Sequence, residues 1–274
     1  MMPPLYITDL DHTFLRSDLT LSPFSIETWN AKTDRALMGI ATARSYTKSR
    51  EMLSQLHINT PMILLDGALI VTPEQEIIDC KSLEKPLGDA IVEMGLHHQI
   101  DPFIIGMDTE TMEEAFLYPR RLNRHQKRVL KGYRNDPRMQ FNPENATMDE
   151  NLKIVYFGEW EQLAPLHRDI QETFGGRVEA KLSPESYGGG WFLTLLHPEG
   201  DKAHALEKVT AYLGRDTEEV TVFGDSLNDI GMFRAAGISA AVSNALDEVK
   251  AAATILLPHS NDEDAVAHYL ENAP

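Results

Sequence analysis

The sequence predicts an α/β fold whose core is a parallel sheet with helices on both faces. Short apolar runs alternate with helical patterns over residues 5–66 and again over residues 192–270. Alternation of this kind is typical of a parallel sheet built from βαβ units. Between the two segments the pattern changes to a mixture of helices and strands. A chain of 274 residues is long enough for a core domain that carries a second, smaller domain.

The first segment contains three predicted strands and two predicted helices. The strands are the apolar runs at 5–8, 36–41 and 62–65. The first helix is expected to begin at Ser22 and Pro23, because proline in a first turn loses no hydrogen bond. The second helix is expected to run from Ser45 to about residue 56.

The last segment continues the alternation with four predicted strands and four predicted helices. The strands are expected at 192–196, 220–223, 238–242 and 255–257. The helices are expected at 201–213, 227–234, 246–253 and 263–270. We therefore expect residues 1–72 and 190–274 to form one core domain.

The intervening residues, 73–189, are expected to form an inserted α/β domain. Helices are predicted near 88–98, 124–134 and 161–174, and strands at 103–106, 115–117, 154–157 and 178–180. Pro73 at one end and the run of Gly188, Gly189 and Gly190 at the other are typical of linkers between structural units.

The composition excludes several classes of protein. The 42 acidic residues outnumber the 25 basic ones, for a formal net charge of −17. Duplex nucleic acid is bound by Lys and Arg side chains that neutralise phosphates, so we expect no nucleic-acid partner. No apolar run approaches the ~18 residues of a membrane-spanning helix, so we expect no membrane association. The acidic start of the chain and the single cysteine, Cys80, predict a cytoplasmic protein without a secretory signal or an internal disulfide.

Two aspartates directly follow the first predicted strand. If the strand continues through Asp11, alternation directs the side chains of Asp9 and Asp11 to the same side, at the carboxyl end of the sheet. Open α/β sheets bind ligands at that edge. Two carboxylates held this close need a cation or a shared proton to offset their repulsion. They could supply a nucleophile and a proton-transfer group, or hold a metal ion; the alternative is an ordinary acidic turn.

A second acidic cluster follows the predicted strand at 220–223. Asp225 lies at the end of this strand, and Asp229 follows one helical turn later, so both side chains can reach the same point. Carboxylate oxygens at a sheet edge suit Mg²⁺, which prefers carboxylates, water and substrate phosphate. A helix cap would explain one of these residues, but not two acidic clusters at two strand ends.

Two further residues stand at strand-to-helix junctions of the predicted core. Thr42 follows the second strand at a helix start, where its hydroxyl and the free backbone N–H groups could hold an anion. Lys202 follows the strand at 192–196 and could supply the fixed cation that an acidic phosphate site needs. Each residue alone is a weak signal.

Together these four elements resemble the motifs of the haloacid dehalogenase superfamily of phosphohydrolases, in that family's order along the chain. The first motif is at 9–13, the second at Thr42, the third at Lys202 and the fourth at 224–229. The resemblance implies a Rossmann-like, doubly wound core. The inserted segment is similar to the α/β cap of the Cof-type branch, which is associated mostly with sugar phosphates and other small phosphomonoesters.

The resemblance implies catalytic roles for four residues. Asp9 would be the nucleophile that forms an aspartyl-phosphate, and Asp11 would protonate the leaving group and then activate water. Thr42 and Lys202 would hold the phosphoryl oxygens, in keeping with the view that phosphoryl transfer depends on positioning and charge neutralisation. His12 stands where the family often has glycine, and we expect this difference to be tolerated.

The resemblance also implies Mg²⁺ as the cofactor. Its ligands would be the carboxylate of Asp9, the backbone carbonyl of Asp11 and the carboxylate of Asp225, with Asp229 at the metal or at its waters. The metal and a fixed lysine would supply local positive charge inside a net negative protein.

Three residues are implied to bind substrate: Thr13, Arg44 and Asn228. Two nearby positions depart from the family pattern. Ala43 stands where glycine is common, and Asp66 stands where asparagine is common. Neither departure removes a catalytic group.

We therefore expect a Mg²⁺-dependent phosphatase acting on a small phosphorylated metabolite, in first place a sugar phosphate. The alternatives are a sugar phosphomutase of the same superfamily and a non-catalytic protein that senses a phosphorylated ligand. The intact catalytic set argues against the sensing protein. We expect a monomer or a homodimer. The basic residues at 120–138 either steer phosphorylated substrates or form a solvated helix face.

Overall fold

The computed structural model describes residues 2–108, 111, 113–133, 136–184 and 189–273. The chain divides into two compact units. Met1–Cys80 and Gly200–Pro274 form the first unit, and Lys81–Glu199 form the second.

The described residues form the following strands and helices. The strands are β1 (Leu5–Thr8), β2 (Leu37–Ile40), β3 (Met62–Leu64), β4 (Leu69–Val71), β5 (Ile77–Cys80), β6 (Leu83–Glu84), β7 (Phe103–Asp108), β8 (Glu113–Pro119), β9 (Met139–Asn142), β10 (Glu150–Gly158), β11 (Glu179–Pro184), β12 (Trp191–Leu196), β13 (Val220–Gly224), β14 (Ile238–Ala241) and β15 (Ile255–Leu256). The helices are α1 (Pro23–Lys32), α2 (Tyr46–Met52), α3 (Lys85–His97), α4 (Arg124–Gly132), α5 (Trp160–Phe174), α6 (Lys202–Tyr212), α7 (Ile230–Ala235), α8 (Asp247–Ala252) and α9 (Ala265–Asn272).

A five-stranded parallel sheet forms the centre of the first unit, in the order β15-β14-β13-β1-β2. All residues of β1 and β13 are buried, which accounts for their continuous apolar runs. Thr8, the last residue of β1, lies beside Phe223 of β13 and Ile40 of β2. The carboxyl ends of the three strands therefore meet at one edge, and the predicted parallel α/β core is confirmed.

The strand β3 was expected in this parallel sheet, and that expectation is wrong. β3 pairs antiparallel with β4, and β4 with β5, in a separate three-stranded sheet. A single parallel bridge between Ala41 and Ile63 joins β3 to the end of β2. The chain reverses after β3 because Leu65 and Asp66 adopt positive φ, a conformation that an apolar run does not reveal.

A second sheet, in the order β11-β12-β10-β7-β8-β9, forms the second unit, with β6 paired to β10. Alternate residues of β10 belong to two separate apolar clusters. Ile154 packs in a cluster with side chains of α3 and α5, whereas Val155 packs in one that includes side chains of α4. The second unit is therefore an α/β domain with helices on both faces of its sheet.

The boundaries of the second unit differ from the expected 73–189. β12 was assigned to the core, but it pairs antiparallel with β10 and β11, so the second unit continues to Glu199. At the other end, Pro73 lies in the turn between β4 and β5 of the first unit. An apolar run indicates a buried strand without indicating which sheet it joins. Gly188 lies outside the described residues.

Some of the basic residues at 120–138 form ion pairs within the second unit. Arg121 binds both carboxylate oxygens of the buried Asp101, and Arg138 binds Glu114. Arg134 lies outside the described residues. A role of this stretch in steering substrate stays a prediction.

The helix ends follow local chemistry. α1 begins as predicted, with the Ser22 hydroxyl accepting a hydrogen bond from the N–H of Ser25 at 2.9 Å. α2 ends at Met52 rather than near residue 56. Among the helices of the described residues, none combines the length and the apolar character needed to cross a membrane.

Gly67 permits a close approach between the turn after β3 and the start of α6. Its φ is +119°, and a Cβ at this position would lie 2.2 Å from the carbonyl oxygen of Asp201. We expect Gly67→Ala to lower the free energy of unfolding by about 3 kcal/mol, because the backbone strain and the collision add. Urea unfolding of the purified variant measures this loss.

Gly214→Ala is the matched control. Gly214 also has a positive φ, +66°, but no heavy atom lies within 4 Å of the added Cβ. Its loss should be limited to about 1 kcal/mol of backbone strain. Equal losses for the two variants would show that the contact with Asp201 is not a constraint.

Candidate active site

The polar residues predicted as functional follow the ends of β1, β2 and β13. The backbone N–H of Asp9 donates to the carbonyl oxygen of Phe223 at 3.0 Å, so the chain still follows the sheet at the first aspartate. Thr42 donates its N–H to Ile63 at 2.9 Å. The parallel register therefore places Asp9, Thr42 and Asp225 at the same edge of the sheet.

The chain turns over Leu10–Phe14 directly after β1, and the backbone angles of Asp11 and His12 in this turn are not helical. His12 has a φ of +56°, in the left-handed region that glycine adopts most readily. Its carbonyl oxygen accepts a hydrogen bond from Nδ2 of Asn244 at 2.8 Å. The family's preference for glycine at this position thus has a backbone explanation.

Thr13 contacts the acidic side chain of Asp225. Its Oγ1 is buried and donates a hydrogen bond to Oδ1 of Asp225 at 3.0 Å. The hydroxyl proton of Thr13 thus orients Asp225, and a contact between Thr13 and substrate stays a prediction.

Lys202 is the cation at the centre of the site. Its Nζ lies 2.6 Å from Oδ1 of Asp9 and 2.7 Å from Oδ1 of Asp229, and its side chain is fully buried. Burial by itself lowers the pKa of Lys202, but the charges of Asp229, Asp9 and Asp66 raise this pKa by more. Lys202 is therefore a permanent positive charge in this site.

Asp229 uses both of its carboxylate oxygens inside the protein. Oδ1 accepts from Lys202, and Oδ2 accepts from the backbone N–H groups of Asp225 and Ser226, each at 3.0 Å. Asp229 thus orients the lysine and the loop after β13. Asp229 as a ligand of the metal itself stays a prediction.

The surroundings of the two remaining carboxyl groups of the cluster, Asp9 and Asp225, oppose their ionisation. Burial raises the pKa of Asp9 well above its ordinary value; Lys202 opposes this increase, and Asp229, Asp225 and Asp11 add to it. Burial is also the main cause that raises the pKa of Asp225 to about 7, with Asp229 contributing. A further cation beside these two buried acids would favour their ionised forms.

The acidic cluster has the donor set that Mg²⁺ requires. Asp9, Asp225 and Asp229 each offer a carboxylate oxygen, and the three oxygens lie within 4.8 Å of one another. Among the hydrogen bonds of the described residues, none uses the second oxygen of Asp9 or of Asp225. Carboxylate oxygens at partly neutralised, buried positions fit a hard divalent cation.

Arg44 and Asp11 form an ion pair beside this cluster. Nε of Arg44 donates to Oδ2 of Asp11 at 2.7 Å, and Nη2 contacts Oδ1. Both side chains are partly exposed, by 18% for Arg44 and 27% for Asp11. The guanidinium of Arg44 thus holds Asp11 in this structure, and a contact between Arg44 and substrate stays a prediction.

Asp66, which was not predicted as part of the site, forms hydrogen bonds with both Asn228 and Thr42. Nδ2 of Asn228 donates to Oδ1 of Asp66 at 2.7 Å, and the N–H of Asp66 donates to the carbonyl oxygen of Thr42. Thr42 is fully buried, and its Oγ1 accepts from the N–H of Arg44 at 3.2 Å. The one sequence signal for Asp66 was its departure from the asparagine that is common in the family.

Comparison with known proteins identifies the family. A family model described as haloacid dehalogenase-like hydrolase matches residues 6–270. The 5-amino-6-(5-phospho-D-ribitylamino)uracil phosphatase YitU of Bacillus subtilis is 24% identical, over 98% of this chain and 97% of that protein. The pyridoxal phosphate phosphatase YbhA of Escherichia coli is 26% identical, over 96% of this chain and 95% of that protein.

Comparison with solved structures shows that the fold is shared as well. A solved haloacid dehalogenase-like hydrolase from B. subtilis has a TM-score of 0.80 at 20% identity, over 99% of this chain and 100% of that chain. The chain therefore belongs to the haloacid dehalogenase-like hydrolase family and is an enzyme of the phosphatase kind found among its relatives.

Proposed function

We propose that this enzyme hydrolyses a small phosphomonoester through an aspartyl-phosphate on Asp9, with Mg²⁺ as cofactor. The observation that carries the proposal is the buried contact of Lys202 with Asp9 and Asp229, beside Asp225. A carboxylate held against a fixed ammonium, at a sheet edge that suits Mg²⁺, can meet a phosphoryl group whose charge is neutralised there.

The chemistry consists of two displacements at phosphorus. A carboxylate oxygen of Asp9 forms a bond to phosphorus while the bond from phosphorus to the ester oxygen breaks, and Asp11 gives a proton to that oxygen. A water molecule then attacks phosphorus and gives a proton to Asp11. The bond between Asp9 and phosphorus breaks, which releases inorganic phosphate and restores both carboxyl groups.

Arg44 has to release one oxygen of Asp11 during this cycle. The guanidinium contacts both carboxylate oxygens, so one contact has to open before an oxygen of Asp11 can face a leaving group. Proton donation requires a protonated oxygen turned towards the leaving group. We propose that Arg44 holds Asp11 between turnovers and that substrate binding loosens one of the two contacts.

The residues that would hold Mg²⁺ are Asp9 and Asp225, with the backbone carbonyl of Asp11. When bound, the ion would neutralise charge on the phosphoryl oxygens. Thr13 orients Asp225 for this purpose, and Asp229 positions Lys202.

The proposed substrate class is supported by the names of two relatives, each of which is named for a small phosphorylated molecule. One relative is named for a phosphoribityl compound and the other for pyridoxal phosphate. We propose a small phosphorylated metabolite for this enzyme, with a sugar phosphate first. We also propose that Lys81–Glu199 is the cap that selects it.

Replacement of the nucleophile tests the reaction. Asp9→Asn keeps the shape of the side chain but removes the attacking anion, so turnover should fall by about 10⁴-fold. The measurement is phosphate release from a panel of sugar phosphates, nucleotides and pyridoxal phosphate, with Mg²⁺ and with EDTA.

Asp34→Asn is the matched control, because Asp34 is an exposed aspartate of the same unit. This variant should retain full turnover, and both variants should be folded and unfold cooperatively, although Asp9→Asn should be less stable because it removes the charge partner of the buried Lys202. Undiminished turnover in Asp9→Asn would rule out Asp9 as the nucleophile. Absence of release from every substrate, with Mg²⁺ present, would refute the proposed function.

Mg²⁺ should stabilise the protein more at about pH 8 than at about pH 5.5. The pKa of Asp225 rises from 3.8 to about 7 on folding, so the folded state binds more protons between these values. Without metal, this group's contribution to stability is therefore lost as the pH rises towards 7. Mg²⁺ needs the ionised carboxylate and should restore stability above that pH. Thermal unfolding with Mg²⁺ and with EDTA measures both effects.

Asp225→Asn serves as the comparison for the metal prediction. The variant lacks the titrating group and a metal ligand, so its melting temperature should depend less on both pH and Mg²⁺. An equal Mg²⁺-induced shift in the variant and the unmodified protein would exclude Asp225 as a ligand.

A further inference from the structure

We infer that Asp66 is a positioning residue that sets the orientation of the Asn228 carboxamide and thereby presents an N–H group to the phosphoryl oxygens. The inference rests on the proposed function, because it takes Asn228 as a phosphate-binding residue. It concerns the position at which this chain has aspartate in place of the family's common asparagine.

Asp66 is held in place by its backbone. It lies in the turn Leu65–Gly67 after β3, with a φ of +64°, and its exposed fraction is 4%. Aspartate, asparagine and glycine tolerate this left-handed conformation best. The N–H of Asp66 is fixed by the carbonyl oxygen of Thr42 at 3.0 Å. The carboxylate thus has a defined location next to the loop after β13.

The Asn228 carboxamide is bound at both ends. Nδ2 donates to Oδ1 of Asp66 at 2.7 Å, and Oδ1 of Asn228 accepts from the hydroxyl of Ser226 at 2.6 Å. A carboxylate can only accept hydrogen bonds, so the atom that faces Asp66 must be the nitrogen. The rotated carboxamide would place oxygen against oxygen and leave both without a shared proton.

An asparagine at position 66 would not impose this choice. A carboxamide offers both a donor and an acceptor, so it can pair with either orientation of Asn228. Aspartate removes that ambiguity. One N–H of Asn228 is bound to Asp66, and the second N–H of the same nitrogen is left to donate to an anion.

Asp66 also connects two residues proposed to hold phosphate. Its backbone binds Thr42 and its side chain binds Asn228, so one buried residue sets the spacing between the loops after β2 and β13. Asp66 therefore influences the site through the position of its neighbours, and no contact between Asp66 and the reacting atoms is required.

A double-mutant cycle tests whether Asp66 acts through Asn228. Asp66→Gly removes the carboxylate and keeps the left-handed backbone available, whereas alanine would add strain. We expect Asp66→Gly and Asn228→Ala each to lower kcat/KM by about 10-fold, and the double variant to lose little more than either alone. Inhibition by inorganic phosphate, the probe for ground-state binding, should weaken by a similar factor in all three variants.

Two further variants separate orientation from folding. Asp66→Asn keeps an acceptor oxygen, so its kcat/KM should lie between those of the unmodified enzyme and Asp66→Gly. Gln75→Gly is the control, because Gln75 is an exposed residue of the same unit with a φ of +73°; its kinetics should be unchanged. The Mg²⁺ concentration for half-maximal activity should be the same in every variant, since Asp66 is not proposed as a metal ligand.

Losses that multiply in the double variant, to about 100-fold, would show that Asp66 acts independently of Asn228 and would overturn the inference. Unchanged kinetics in Asp66→Gly would also overturn it. If Asp66→Gly does not fold, the same cycle is run with Asp66→Asn. Failure of the unmodified enzyme to release phosphate would instead refute the proposed function, and the inference with it.

Discussion

The buried ammonium of Lys202 is the interaction on which the rest of the site depends. Carboxylates that are taken out of water repel one another and lose hydration, and a protein can hold several together with a compensating cation or with a shared proton. Lys202 contacts Asp9 and Asp229 directly, and two backbone N–H groups satisfy the other oxygen of Asp229. The lysine also resolves the conflict between a chain of net charge −17 and an anionic substrate, because it supplies positive charge at short range.

The parallel sheet is what brings these residues together. Thr13 and Asp225 are separated by 212 positions in the chain, yet they form a hydrogen bond of 3.0 Å because β1 and β13 are neighbours in register. The adjoining β2 brings Thr42 to the same edge. A polar residue placed just after a buried strand is thus positioned by the whole sheet.

The sequence was sufficient to predict the parallel core and the residues after its strands, since both depend on local patterns. Strand partners depend on distant residues, and for that reason β3 and β12 were assigned to the wrong sheet. The hydrogen-bond partners of side chains could not be predicted from the sequence either. A threonine in the first motif can donate to a substrate or to Asp225, and an arginine after Thr42 can bind a phosphate or Asp11. Spacing along the chain does not distinguish these possibilities.

Two residues near the site adopt backbone conformations that lower the stability of the fold. His12 and Asp66 both adopt positive φ, in the loops that follow β1 and β3. Such a conformation costs a non-glycine residue about 1 kcal/mol or more, and it persists only where surrounding contacts outweigh that cost. For Asp66 those contacts are hydrogen bonds to Thr42 and Asn228; for His12 a hydrogen bond from Asn244 contributes. A flexible glycine would remove the strain, but in the case of Asp66 it would also remove the acceptor that orients Asn228. Asp66 therefore keeps its strained conformation because its carboxylate is needed to accept the hydrogen bond from Asn228.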